Sequence, residues 1–145
     1  RDIGVTGVQT CALPISSVAS TKVSKSLSNL DNDALLKELA EVSNRGIDAF
    51  GREADINTHA LLTKQSRELK LHLNGDKDHQ RTTELIEATE RAGALCTRVM
   101  GAGGGGFFVC WAPKHKHALI KESVNIKTWV DVRFSRAGSQ VIFSE

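Results

Sequence analysis

Cysteine, proline and aromatic residues are all scarce in this 145-residue chain: three cysteines, two prolines and 5% aromatics, with no tyrosine. So few thiols argue against a disulfide scaffold. Cys96 and Cys110 sit inside apolar runs and read as small core residues, as expected of a protein in a reducing cytoplasm. Charge of one sign is lacking too. The net charge is +2, and no basic stripe interleaves with aromatics, so nucleic acid is not an expected partner. No apolar run approaches the roughly 20 residues of a membrane span, which removes the membrane as a partner. What remains is 40% hydrophobic and 25% charged, the balance of one ordinary globular domain with its own core.

Glycine is concentrated in one place. Met100-Gly101-Ala102-Gly103-Gly104-Gly105-Gly106-Phe107 offers bare backbone N–H groups that can converge on an anion, most often a phosphate, with no Cβ in the way. The plainer reading is a tight connection that needs glycine for steric reasons. The flanks exclude the two familiar nucleotide loops. A P-loop requires Gly-Lys-Ser/Thr, but the next lysine is Lys114, and a dinucleotide loop opens into a helix. Here Leu95 to Met100 and Phe107 to Trp111 are both β-favouring, the latter stopped by Pro113, so the loop joins strand to strand.

Elsewhere the pattern is helical and then mixed. Asp31-Asn32-Asp33 is a capping segment for a helix with the stripe Leu35, Leu39, Val42 and Phe50, stopped by Gly51. A second helix is expected from Glu53 to Leu73 with Leu62, Leu69 and Leu73 on one face. A third carries Leu85, Ile86, Ala88 and Ala92 and closes at Gly93. Pro113 opens a short helix to about Val124. Val130, Val132 and Phe134 alternate with charges as a half-buried strand, followed by a last strand from Gln140 to Phe143. This order predicts an α+β domain with helices packed on one face of a mostly antiparallel sheet.

Several chemically tempting residues read more simply as surface. His115-Lys116-His117 places its histidines on diverging sides of a helix with no further ligand at metal spacing. His59, His72 and His79 are expected on solvated faces, as are Arg67, Glu68 and Lys70, although these three charged residues are candidates to face a substrate. No Ser/His/Asp or Cys/His set emerges from spacing, so no catalytic residue is assigned.

Ala92-Gly93-Ala94-Leu95 followed by Arg98-Val99-Met100 and the glycine run to Phe108 resembles the third signature of the GHMP kinases. Val132-Arg133-Phe134 with Gly138-Ser139-Gln140-Val141-Ile142 is similar to the branch of D-glycero-D-manno-heptose 7-phosphate kinases. The resemblance runs from about Leu30 to the end of the chain. It implies the ferredoxin-like C-terminal domain of an ATP- and Mg²⁺-dependent sugar or sugar-phosphate kinase, with a homodimer compatible with it. On it, Gly101, Ala102, Gly103, Gly104, Gly105 and Gly106 bind nucleotide or substrate. Arg98, standing where relatives often have lysine, supports them. No Pro-x-Ser-Ser-Gly-x-Gly-Ser-Ser-like segment is present, so ATP and Mg²⁺ are expected mainly on an N-terminal domain outside this sequence. Mevalonate or phosphomevalonate is the alternative acceptor class. A non-catalytic metabolite-binding or dimerisation module is the alternative function. Val5 to Ile15 looks like one reading frame of a sequencing-adapter oligonucleotide, so residues 1–15 are set apart as an artefact and 16–145 taken as the domain.

Overall fold

A computed structural model describes the backbone of residues 5–10 and the chain over residues 32–74, 80–100 and 106–132. Helix α1 spans Asp33–Gly51. Asn32 stands at its N-cap but makes no side-chain capping bond, and the exposed pair Lys37–Asp33 (2.7 Å) closes the first turn. Val42 and Ala49, seven residues apart and so on one face, are buried, with Leu35 and Leu39 packed beside them. Phe50, one position off that face, is 49% exposed, so the expected stripe ends on Ala49 instead.

The turn after α1 is set by Glu53, which takes a left-handed φ of 52°, while Ala54 N–H returns to Ala49 O at 2.9 Å. Gly51, expected as the stop, is the last helical residue. Because Glu53 is left-handed, α2 starts three residues later than expected and runs Ile56–Asn74. Asp55 caps it, its Oδ1 accepting from Thr58 N–H at 2.9 Å. Leu62 and Leu69 close against Val42 and Ala49, forming an apolar seam between antiparallel α1 and α2.

Helix α3 spans Gln80–Arg91 and ends as expected at Gly93, whose φ of +107° suits no other residue as well. A Cβ there would also meet Lys116 Cδ at 3.0 Å. Strands β2 (Cys96–Met100) and β3 (Gly106–Trp111) pair antiparallel, from Cys96 opposite Trp111 to Met100 opposite Phe107. Pro113 then leads into a 3₁₀ turn at Lys114–Lys116 and helix α4, His117–Ser123. The strand expected near Val130 is β4, Val130–Val132, but Val130 is exposed and only Val132 is partly buried, while Phe134 lies outside the described residues. The proposed last strand, Gln140 to Phe143, lies outside the described residues.

Strand β1, Val5–Thr10, completes a four-stranded sheet of order β2-β3-β1-β4 in which every pairing is antiparallel. This segment was set apart for its adapter-like sequence, yet it pairs with β3 over six residues. Strand pairing is a backbone interaction, and Val-Thr-Gly-Val-Gln-Thr is rich in β-favouring residues, so it can pair between β3 and β4 whatever its origin.

The α+β class and the antiparallel sheet are as expected. At the β2–β3 end, however, the helices cover both faces. Cys96 and Trp111 bury against Ala60 of α2, whereas Thr97 hydrogen-bonds to Thr89 of α3. Neighbouring strand residues point to opposite faces, so Cys96 and Thr97, both 0% exposed, can be buried together only under cover on each side. Ala94, Ala112 and Ile120 form a third small cluster where α4 docks. No helix among the described residues is long and apolar enough to cross a membrane.

Candidate functional site

β2 lies at the sheet edge, so one side of its backbone lacks a strand partner. At Thr97 that side is closed by side chains. Thr97 N–H donates to Glu90 Oε1 of α3 at 3.1 Å, and Arg67 Nη1 of α2 donates to Thr97 O at 2.5 Å. Arg67 and Glu90 are themselves joined at 2.7 Å. The ion pair thus occupies the positions that a neighbouring strand's C=O and N–H would take. Burial opposes the Arg67 charge, but the hydrogen bond and charge of Glu90 outweigh it and hold the guanidinium pKa above its ordinary value. This corrects the expected solvated face: Glu68 is exposed, whereas Arg67 turns inward with a side chain only 15% exposed. Glu90 lies 23 residues away in sequence, and nothing local marked the pair.

Beneath the clamp sits a polar cluster. Thr97 Oγ1 lies 2.8 Å from Thr89 Oγ1 and donates to Cys110 Sγ at 3.3 Å. Burial pushes the Cys96 thiol up from 9.0 to about 11 and raises Cys110 as well, the latter partly opposed by hydrogen bonding from Thr97. Both are free, buried and protonated near neutral pH, in keeping with their reading as core residues.

Arg98, the next residue on β2, faces the other way. Its Nη1 donates to Ser66 Oγ of α2 at 3.3 Å, and burial lowers its pKa. Lys70, four residues beyond Ser66, is exposed as expected, and partial desolvation and then the Arg98 charge lower its pKa. The chain leaves β2 two residues after Arg98 and enters the glycine run. The candidate positions Gly101 to Gly105 lie outside the described residues, while Gly106 opens β3, where it pairs with Thr10 of β1. The strands expected on either side of the run are β2 and β3, paired antiparallel. Met100 and Phe107 face each other across the hairpin at 49% and 42% exposure.

The histidines divide. His59 was expected in solvent but is 3% exposed, stacked on Trp111 (centroids 5.3 Å) and tilted against Phe50 (4.4 Å). Its ring serves as an aromatic packing element, a use that one-residue polarity conceals. His72 remains exposed with Nδ1 2.8 Å from Glu68 O, and His117 Nε2 lies 3.2 Å from Ala112 O. His79 lies outside the described residues. Among the described residues, no three His, Cys, Asp or Glu side chains gather as metal ligands.

Residues 35–130 match the C-terminal domain of the GHMP kinases. That span is well over half of the chain, and the chain belongs to this family. Among solved structures it is similar to the mevalonate kinase of L. major in complex with R-mevalonate, with a TM-score of 0.71 and 16% identity over 83% of this chain and 37% of that one. It is also similar to the mevalonate kinase of Methanococcus jannaschii, with a TM-score of 0.62 and 17% identity over 90% of this chain and 39% of that one. At such identities what is shared is the fold. The chain spans less than two fifths of the length of either neighbour. No curated protein sequence matches it.

Proposed function

We propose that this chain is the C-terminal domain of an ATP-dependent small-molecule kinase that transfers the γ-phosphoryl group to a hydroxyl of a sugar or sugar phosphate, with heptose 7-phosphate as acceptor. The observation that carries the reading is the family match across the glycine-run hairpin and its bracing helices. Phosphoryl transfer depends mainly on positioning and charge neutralisation, part of which a bound Mg²⁺ would supply. In this reading Gly101 to Gly106 supply backbone N–H groups toward nucleotide or acceptor, Arg98 supplies positive charge beside them, and neither supplies a base. In this reading the metal and most of ATP fall to the rest of the kinase.

A second acceptor class has its own support, because both structural neighbours are mevalonate kinases. Assaying the intact parent against sugar phosphates, free sugars, mevalonate and phosphomevalonate decides between them. Turnover with sugar phosphates is expected, and turnover confined to mevalonate-type acids transfers the assignment. The isolated chain should consume no ATP. The genomic frame upstream of Ser16 should encode a serine–glycine phosphate loop in place of the adapter-like residues 1–15. Its absence would leave a non-catalytic metabolite-binding or dimerisation module.

A further inference from the structure

Two arginines enter the α2–β2 junction, and only one is neutralised. Arg67 has Glu90 at 2.7 Å. Arg98, half-buried, has the neutral hydroxyl of Ser66 at 3.3 Å, and no carboxylate pairs with it among the described residues. Lys70, one helical turn beyond Ser66 on α2, is exposed, and the Arg98 charge opposes its own. A half-buried guanidinium with no anion beside it costs free energy that a folded domain ordinarily avoids by pairing or by turning the side chain outward. A guanidinium has five donors in a rigid fork, and a single hydroxyl leaves most of that fork free for a planar or tetrahedral oxyanion.

We propose that Arg98, Lys70 and Ser66 form a subsite for an anionic group, phosphate or carboxylate, carried by the acceptor substrate. This deepens the kinase reading and rests on it for the identity of the ligand. The placement suits an acceptor's non-reacting end: Arg98 lies on the strand that leads into the glycine run, displaced from it by two residues. An anion there draws the two cations together and relieves their repulsion. The transferable phosphoryl group is handled elsewhere.

The first test uses the 145-residue chain and inorganic phosphate, followed by calorimetry and by the Arg98 side-chain Nε resonance. Saturable binding that weakens about tenfold in Arg98→Gln and in Lys70→Gln, with Arg98→Lys retaining part of it, is expected. Absence of saturable binding, or binding indifferent to all three variants, overturns the subsite. The second test uses the intact parent. Arg98→Gln should raise the acceptor KM about tenfold while leaving the ATP KM unchanged. Sensitivity confined to phosphorylated acceptors assigns the group as phosphate, and sensitivity confined to mevalonate assigns it as carboxylate. An active parent in which Arg98→Gln spares the acceptor KM, or raises the ATP KM instead, overturns the subsite but leaves the kinase standing. A parent that phosphorylates nothing removes the kinase reading, and the phosphate titration still judges the site. Ser66→Ala, which removes a single neutral hydroxyl, repeats the measurement should Arg98→Gln fail to fold.

Discussion

The seam between α1 and α2 and the junction of α2 with β2 and α3 are built on opposite principles, although α2 takes part in both. In the seam, Val42, Ala49, Leu62 and Leu69 meet with no polar tie among them, so stability follows from apolar area and tight packing. At the junction, Arg67, Glu90, Thr89, Thr97 and Cys110 are linked by hydrogen bonds between 2.5 and 3.3 Å, all of them buried or partly so. An apolar seam tolerates sliding and small repacking, since its forces have no direction. A hydrogen-bonded edge fixes register, because Thr97 has one N–H and one C=O to satisfy and both partners are single side chains. The junction therefore sits where the chain needs its register held: on the strand that delivers the glycine run.

The largest consequence of that difference should appear at Glu90. Glu90→Ala strands the Arg67 charge and the Thr97 N–H together and should cost about 3 kcal/mol in urea unfolding. Replacing both partners, as Arg67→Met with Glu90→Leu, should cost clearly less than the single change. If the double variant is the worse of the two, the pair is stabilising in its own right and the contrast with the seam weakens.

In the seam, Leu69→Ala should lose about 2.5 kcal/mol through lost burial and the cavity left behind. The combination with Glu90→Ala should be additive within about 0.5 kcal/mol if the two regions are independent. A larger coupling energy would mean that α2 transmits strain between them.

The junction also carries a pH signature that the seam cannot. The Cys96 thiol has a folded pKa near 11 against an ordinary 9.0, so the native state holds its proton more tightly than the unfolded chain. Its contribution is complete below pH 9.0 and is lost as pH rises toward about 11. Cys110, raised in the same direction, adds to the decline. Denaturant midpoints measured across that range should fall in the wild type and flatten in a Cys96→Ala, Cys110→Ala variant compared with its own neutral-pH value.

The smallest effect belongs to the turn that joins the two helices. Asp55→Ala removes the cap on Thr58 N–H and should lower the midpoint slightly. Hydrogen bonding from Thr58 holds the Asp55 carboxyl below its ordinary 3.8, so its contribution is present above that value and fades as pH falls through the lower folded pKa. Asp55→Asn, which keeps an oxygen acceptor, should retain the cap and lose that acid dependence.

Local sequence alone determined most of the element order. Apolar spacing set the two long helices, Gly93 set the end of α3, and Pro113 ended the β3 run and introduced the following turn. These signals are readable because each depends on residues within one or two turns of itself. The glycine run between two β-favouring stretches marked the hairpin and, through it, the family. Tertiary structure decided what the same residue types do. His59 became a buried ring between Phe50 and Trp111, Phe50 gave up its core position to Ala49, and Glu53 fixed the start of α2 by taking a left-handed turn. It also separated Arg67 from Arg98, one neutralised and one left with a hydroxyl and a like charge. Whether a cation finds a carboxylate depends on partners that are 23 and more residues distant, brought together by packing, and no periodicity along the chain records such a distance.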